Sequence, residues 1–469
     1  MRRFLTRARV GFMRRCEFRI SLALLVCSSG CGFAPAAIIG GSFVATGSDT
    51  TPRFFHRAGL LPNGLVIVTG GMRLQISPAS LISLNAISFY NPATGTFSNS
   101  FLPTGGGAPV TPVLATARSS HTQTTLLDGR VLVTGGVTGA SGTSPGTSVN
   151  SVEIFDPQTG LVSAGPSMNS ARVNHTATLL PDGRVVVTGF STWQIFDPAG
   201  HAWSAEFALQ RGRAEHAAVL LPDLTGPGGH RVLLVGGAGN GADTLELLDP
   251  FGMVSSLRSA TLVVGVDDLA AGRLDDGRVL IVGGQNPGTG QTVNRSYLYD
   301  PLADVIVEVS PPPNRTDGLA DHELVSLGRF ALIFGGEQEV GGTDTELSYA
   351  AFFDRATGQW TQLPNMTQAR DDAAAVALPD GRVLLIGGAV GFFGIPLPTS
   401  TAELFVPNAV VLGDLNGDGQ LSAADVPGMV ATLVSPAGAT PRDRCAADVD
   451  ENGRVDGDDV QPFVSLIAP

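Results

Sequence analysis

Toward the C-terminus, oxygen-bearing side chains recur at the spacing a hard cation demands. Asp414, Asn416, Asp418, Ser422 and Asp425 fall at positions 1, 3, 5, 9 and 12 of one loop, Gly419 sits at the sharp turn, and Gln420 offers its backbone carbonyl. Asp448, Asp450, Asn452, Asp456 and Asp459 repeat the pattern 34 residues later, with Arg454 in the carbonyl position. So many oxygens around one point suit calcium, and two ions are expected. Each loop leads into an apolar stretch, Val426 to Val434 and Val460 to Ile467, that reads as a helix, with Ser422 and Asp456 placed as N-caps.

A second constellation lies upstream, where Arg, two residues and His recur as Arg53 and His56, Arg118 and His121, Arg172 and His175, and Arg213 and His216. Later copies drift to Asp267 and Asp268, to Asp321 and His322, and to Arg370 with Asp371 and Asp372. A ring of His and Asp can hold a ligand or a metal. The same repetition is also what a structural role between neighbouring units produces.

These residues ride on a repeat. Glycine doublets follow β-branched runs at Gly70-Gly71, Gly135-Gly136, Gly236-Gly237, Gly283-Gly284, Gly335-Gly336 and Gly387-Gly388, with Gly189-Phe190 a degenerate copy, which makes seven units of about fifty residues. Each unit opens with a hairpin whose turn is Asn63-Gly64, Asp128-Gly129, Asp182-Gly183, Asp276-Gly277 or Asp380-Gly381, residues that tolerate positive φ. A third strand ends in pairs such as Tyr90-Asn91, Phe155-Asp156 and Phe196-Asp197 before proline, which cannot donate to a ladder. A short fourth strand follows, so each unit is a four-stranded blade. The last unit stops at Pro407 without a fourth strand, and Gly40 to Thr46 reads as the strand that completes it and seals the ring.

The pattern resembles the Kelch repeat over roughly residues 40–407, which implies an all-β, seven-bladed Kelch-type β-propeller closed by an N-terminal strand. In that fold the first strands line a central channel, so the resemblance puts the Arg and His pairs around one mouth. The long second-to-third-strand loops, from Met72, Val137, Gln285, Glu337 and Ala389, emerge there and form the expected binding face for a glycan or a protein. Galactose-oxidase-like copper enzymes use this fold with Tyr and His ligands and a Cys crosslinked to a Tyr. The propeller has no Cys, and its four Tyr are Tyr90, Tyr297, Tyr299 and Tyr349, so that chemistry is not expected.

Residues 408–469 resemble a type I dockerin, a small α-helical module of paired EF-hand-like loops, and the resemblance implies a cohesin-like partner. The residues before the last ligands, Ala423-Ala424 and Gly457-Asp458, depart from the usual hydroxyl pair, and an intramolecular calcium clip is the competing reading.

Residues 1–36 read as an export signal, seven Arg preceding the short apolar run Ile20 to Val26, with translation starting at Met1 or Met13. Cleavage before Cys31, with lipidation of that cysteine, competes with cleavage after Ala36. An extracellular or cell-surface location is expected. All 29 basic residues are Arg against 42 acids, a net charge of −13 that argues against nucleic acid as a partner. With Cys16, Cys27, Cys31 and Cys445 the only cysteines, there is no disulfide framework. The expectation drawn from all this is an exported, non-catalytic binding or scaffold protein attached through a dockerin-like module. The alternatives are a polysaccharide-degrading enzyme and a surface-tethered structural lipoprotein.

Overall fold

The computed structural model describes residues 37–76, 79–139, 146–221, 229–340, 343–392, 395–410, 415, 422–435, 438–439, 441–449 and 454–467. The expected signal with Cys31, and the loop residues Asp414, Asn416, Asp418, Gln420, Asp450 and Asn452, lie outside them.

Seven four-stranded antiparallel blades form the propeller. Blade 1 is typical, with strands Arg57–Leu60, Val66–Thr69, Ile87–Asn91 and Thr96–Ser98 from the axis outward. The second strands, such as Val66–Thr69, Val131–Thr134 and Val383–Ile386, are buried at every residue, because blades pack on both their faces. That sandwiching explains why they read as continuous β-branched and Leu runs rather than as alternating patterns. Phe89, Phe101 and Phe155 share one such interblade core, their rings 4.6 to 5.7 Å apart.

Turn chemistry repeats as faithfully as the strands. In the hairpin turn of blade 2, Asp128 accepts the Arg130 backbone N–H at 3.0 Å and pairs with its guanidinium at 2.7 Å, and Asp182, Asp276 and Asp380 do the same with Arg184, Arg278 and Arg382. At the end of the third strand, Asn91, Asp156, Asp197, Asp249, Asp300 and Asp354 each accept a backbone N–H two residues on. These Asx turns stop the strand where proline follows or could follow.

Blade 7 is closed across the chain. Its third strand, Ala402–Val410, pairs with Ala37–Ala45, so the N-terminal segment supplies the outermost strand. Phe43 of that strand packs on Phe405 and Phe334, at 5.4 and 6.0 Å between ring centroids. Gly41 has to be glycine here, since a Cβ would lie 2.2 Å from the Phe405 ring. Blade 3 is the irregular one. Its second and third strands fuse into Val185–Asp197, with no loop of the kind that the other blades carry after their glycines.

Among the described residues beyond the propeller are three short α-helices, α1 (Val426–Val434), α2 (Pro441–Ala447) and α3 (Val460–Ile467). Met429 of α1, Ala446 and Ala447 of α2, and Phe463 of α3 share one apolar core with Phe330, Phe352 and Phe405 of the propeller. α1 packs against α2.

Candidate functional site

The repeated Arg and His do not face the channel mouth. They are buried between and within blades, and the geometry gives the reason. The Arg213 guanidinium donates to the Gly236 carbonyl at 2.8 Å and to Thr244 Oγ1 at 2.9 Å, and it pairs with Glu246 at 3.2 Å, both side chains being 0% exposed. Arg118 and Arg370 repeat this with Gly135, Ser151 and Glu153, and with Gly387, Thr401 and Glu403. Arg172 pairs with Glu206, and Arg53 with Asp49. Each Arg thus fastens the glycine corner of its own blade to the third strand.

The same segment also joins neighbouring blades. The N–H of Gly136 donates to the Arg172 carbonyl at 2.8 Å, and that of Gly388 to the Arg53 carbonyl at 2.9 Å, which links blade 7 to blade 1. His121, His175 and His216 each bond a Thr of the preceding blade through Nε2, Thr69, Thr134 and Thr176 at 2.9 to 3.1 Å. Burial drives the pKa of His175, His216 and His322 down to about 3, so they stay neutral. The doublet glycines permit this closeness: at Gly135, φ is +62° and a Cβ would meet the Arg172 carbonyl at 2.6 Å.

The mouth is lined by the residue just before each His position: Phe55, Ser120, Asn174, Glu215, Asp268, Asp321 and Asp372. All seven adopt left-handed backbone, φ 47 to 55°. Such conformation is uncommon outside glycine and asks for an explanation from the surrounding structure. The explanation is a ring of hydrogen bonds. The backbone N–H groups of Ser120, Asn174, Glu215, Asp268 and Asp321 each donate to the carbonyl of the ring residue one blade back at 3.0 to 3.3 Å, and that of Phe55 donates to Asp372. All seven ring residues are half-buried, while His56, His121, His175, His216 and His322 beside them are buried.

The ring is chemically lopsided. Blades 1 to 3 contribute Phe55, Ser120 and Asn174, whereas blades 4 to 7 contribute four consecutive carboxylates, joined by Asp267, Asp371 and Glu337. Burial, then Glu215 and Asp267, push Asp268 up to about 8. Asp371 rises to about 7 through burial and the neighbouring Glu337 and Glu346, and Glu337 rises to about 7 through burial, Asp344 and Glu346. Asp321 and Asp372 are pushed well above the usual carboxylate range, chiefly by burial. In the same half the repeat gives way: Val266 and Leu269 replace Arg and His in blade 5, Leu319 replaces Arg in blade 6, and Ala373 replaces His in blade 7.

The expected long loops rise from this ring as two-stranded hairpins, Met72–Ile76 with Ala79–Ser83, Glu337–Val340 with Thr343–Glu346, and Ala389–Phe392 with Ile395–Pro398. Each hairpin begins opposite the mouth, through bridges such as Phe54 to Met72, Ala320 to Glu337 and Asp371 to Ala389.

In the C-terminal region the described loop residues are bonded in duplicate. Asp425 accepts the N–H groups of Leu415 and Ser422, both at 2.9 Å, and Asp459 accepts those of Val449 and Asp456 at 2.7 and 2.9 Å. Ser422 and Asp456 cap the turns that follow. Asp448 pairs with Arg329 of the propeller at 3.2 Å, and Arg454 lies just beyond the second loop's tip.

Together the blades and the ring define a seven-bladed β-propeller of Kelch type. A Kelch motif matches residues 118–169, which span the mouth segment, hairpin and third strand of blade 2. Among solved structures, the chain is similar to a fungal alcohol oxidase of the AA5 family in complex with copper, with a TM-score of 0.56 and 15% identity over 79% of this chain and 76% of that one. No curated protein matches the sequence.

This comparison corrects the expectation of a non-catalytic scaffold. The same fold carries an oxidase in that solved structure, so a propeller is no ground for a non-catalytic reading. At 15% identity the likeness transfers architecture and not the copper site. The donor set here does not fit a copper-radical centre. Tyr299 bonds Arg258 and Asp304, Tyr349 donates to the Pro313 carbonyl, and Tyr90 bonds Thr46, so these phenols lie within the blades. The mouth presents carboxylates instead, which are hard oxygen donors.

Proposed function

We propose that this protein is an exported enzyme acting on a glycan, with the acidic half of the channel mouth cleaving glycosidic bonds by acid–base catalysis. The observation that carries the reading is the cluster of carboxylates that blades 4 to 7 place in the ring, beside a repeat that loses Arg, His or both in blades 5 to 7. A repeat kept for stability has no reason to lose its fastening residues in adjoining blades, whereas a site needs unlike residues on a like scaffold. Asp371 and Glu337 supply the chemistry. Their raised pKa values keep a proton available near neutrality, as a general acid requires. One carboxylic acid protonates the departing glycosidic oxygen as its C–O bond breaks. A second carboxylate takes a proton from the water whose oxygen bonds to the sugar carbon. The neighbouring hairpins from blades 6, 7 and 1 offer walls for an extended substrate.

The C-terminal region is proposed as a dockerin-like module holding two calcium ions, through Asp414, Asn416, Asp418, Gln420, Ser422 and Asp425, and through Asp448, Asp450, Asn452, Arg454, Asp456 and Asp459. The duplicate bonding of Asp425 and Asp459 supports two equivalent loops. A cohesin-like protein is its proposed partner. The Arg329 to Asp448 pair and the apolar core shared with the propeller favour a second role as an intramolecular clip. Export rests on residues 1–36, with release after Ala36 or lipid attachment at Cys31.

The test is a screen of polysaccharides for reducing-end release by the wild type and by Asp371→Asn. Turnover that falls at least about a hundredfold in the variant supports the reading. Undiminished turnover in Asp371→Asn, or no release from any glycan that the protein binds, overturns it.

A further inference from the structure

We propose that Glu215, Asp267 and Asp268 bind one hard divalent cation at the channel mouth, at the junction of blades 4 and 5. A carboxylate oxygen from each of the three lies within 4.8 Å of the other two. Calcium–oxygen distances of about 2.3 to 2.6 Å put ligands on opposite sides of an ion roughly 5 Å apart, so the three oxygens span a single coordination sphere.

Asp267 is the second, independent sign of a ligand. The residue is only 6% exposed, and its buried Oδ1 has no hydrogen-bond partner among the described residues. A buried carboxylate oxygen left without a partner is rare, and it is stable only beside a positive charge or an unseen donor. No guanidinium of the repeat reaches it. Blade 5 has Val266 where blades 1 to 4 and 7 have Arg, and Val266 and Leu269 are part of an apolar core. Arg213 of blade 4 is held by Gly236, Thr244 and Glu246. The chain therefore gathers three carboxylates at the junction where its own cation has been replaced. Asn174 orients the first of them, its Nδ2 donating to Glu215 Oε1 at 2.5 Å.

An all-carboxylate donor set selects calcium, magnesium or manganese over copper or zinc, which favour nitrogen and sulfur. Water or hydroxyl oxygens of a bound glycan fill the positions that the three side chains leave open. The site stands apart from acid–base catalysis by Asp371 and Glu337, and either can hold without the other.

Equilibrium dialysis of the full-length chain against Ca²⁺, and separately Mg²⁺, tests the inference. The wild type is compared with Asp267→Asn, with Asp267→Asn/Asp268→Asn, and with Asp425→Asn/Asp459→Asn, which weakens the C-terminal loops. The expected result is one ion per chain that the mouth variants lose or bind at least about a hundredfold more weakly and that the loop variant retains. Melting in chelator checks folding: the mouth variants melt no lower than the wild type, because mutual repulsion is relieved, yet they lose the rise that added ion gives the wild type. Equal stoichiometry and affinity in wild type and mouth variants for both ions overturns the proposal. Loss of glycan cleavage alone, with ion binding intact, bears on the proposed catalysis and not on this site.

Discussion

Replacing Arg213 by Met is expected to destabilise the propeller by about 3 to 5 kcal/mol, the range for breaking a buried ion pair on one side. The structure shows where that cost arises. Glu246 is fully buried and would keep only the backbone N–H groups of Gln210 and Arg211, at 2.7 and 3.3 Å, to offset its charge. The Gly236 carbonyl would lose the Arg213 donor as well, while the Thr244 carbonyl would keep the Gly236 N–H at 3.1 Å. Urea unfolding followed by tryptophan fluorescence reads the change, since Trp193 is fully buried in the adjoining blade 3. Arg213→Met/Glu246→Gln should recover much of the loss, because the amide keeps an acceptor for the Gln210 N–H and carries no charge. A loss under about 1 kcal/mol in the single variant would refute the view that these arginines fasten the blades.

Three further outcomes follow from the same geometry. Gly135→Ala should lower the urea midpoint by an amount equivalent to more than about 1 kcal/mol, since the new Cβ is strained at φ +62° and meets the Arg172 carbonyl. Asp371 has a folded-state pKa raised from its ordinary value to about 7, so its contribution is present below about pH 4 and is lost as pH rises to about 7. Asp371→Asn should flatten that part of the stability profile, which slopes by up to about 1.4 kcal/mol per pH unit for a single group. Deleting Ala37–Ala45 exposes the edge of Ala402–Val410, and light scattering should then report concentration-dependent association that the wild type lacks.

The architecture was legible because it is written in residues with few alternatives. Glycine doublets mark corners where a Cβ would strike the next blade, Asp-Gly marks hairpins, and Asp-Pro marks the end of third strands. The closing strand could be read from an unpaired Gly40 to Thr46 matching a blade that stopped at Pro407. The ring at the mouth was not legible in the same way. Arg and His recur, and their recurrence marks burial and bonding within the scaffold. The mouth belongs to Phe55, Ser120, Asn174, Glu215, Asp268, Asp321 and Asp372, which share a left-handed backbone. Positive φ in Phe or Asp cannot be inferred from residue type, because it is imposed by the ring of bonds to adjacent blades. The signal that was available is the drift itself: a position that varies inside an otherwise repeated motif is one that the scaffold does not constrain.

Stability and the acidic mouth are separable within that drift. Fastening by Arg and Glu is complete in blades 2, 4 and 7, and the apolar cores take over where it is lost: Val266 and Leu269 join one cluster, and Leu319 joins another with Phe353 and Tyr349. The carboxylates of the mouth do not depend on those exchanges. In blade 7 Arg370 is kept, bonded to Gly387, Thr401 and Glu403, and Asp371 beside it is still raised to about 7. In blade 4 Arg213 and His216 are both kept, and the ring residue between them is Glu215. The repeat Arg turns toward its own third strand and leaves the ring position unpaired whether it is present or replaced, so the acidic half of the ring overlaps the broken half of the repeat without following from it.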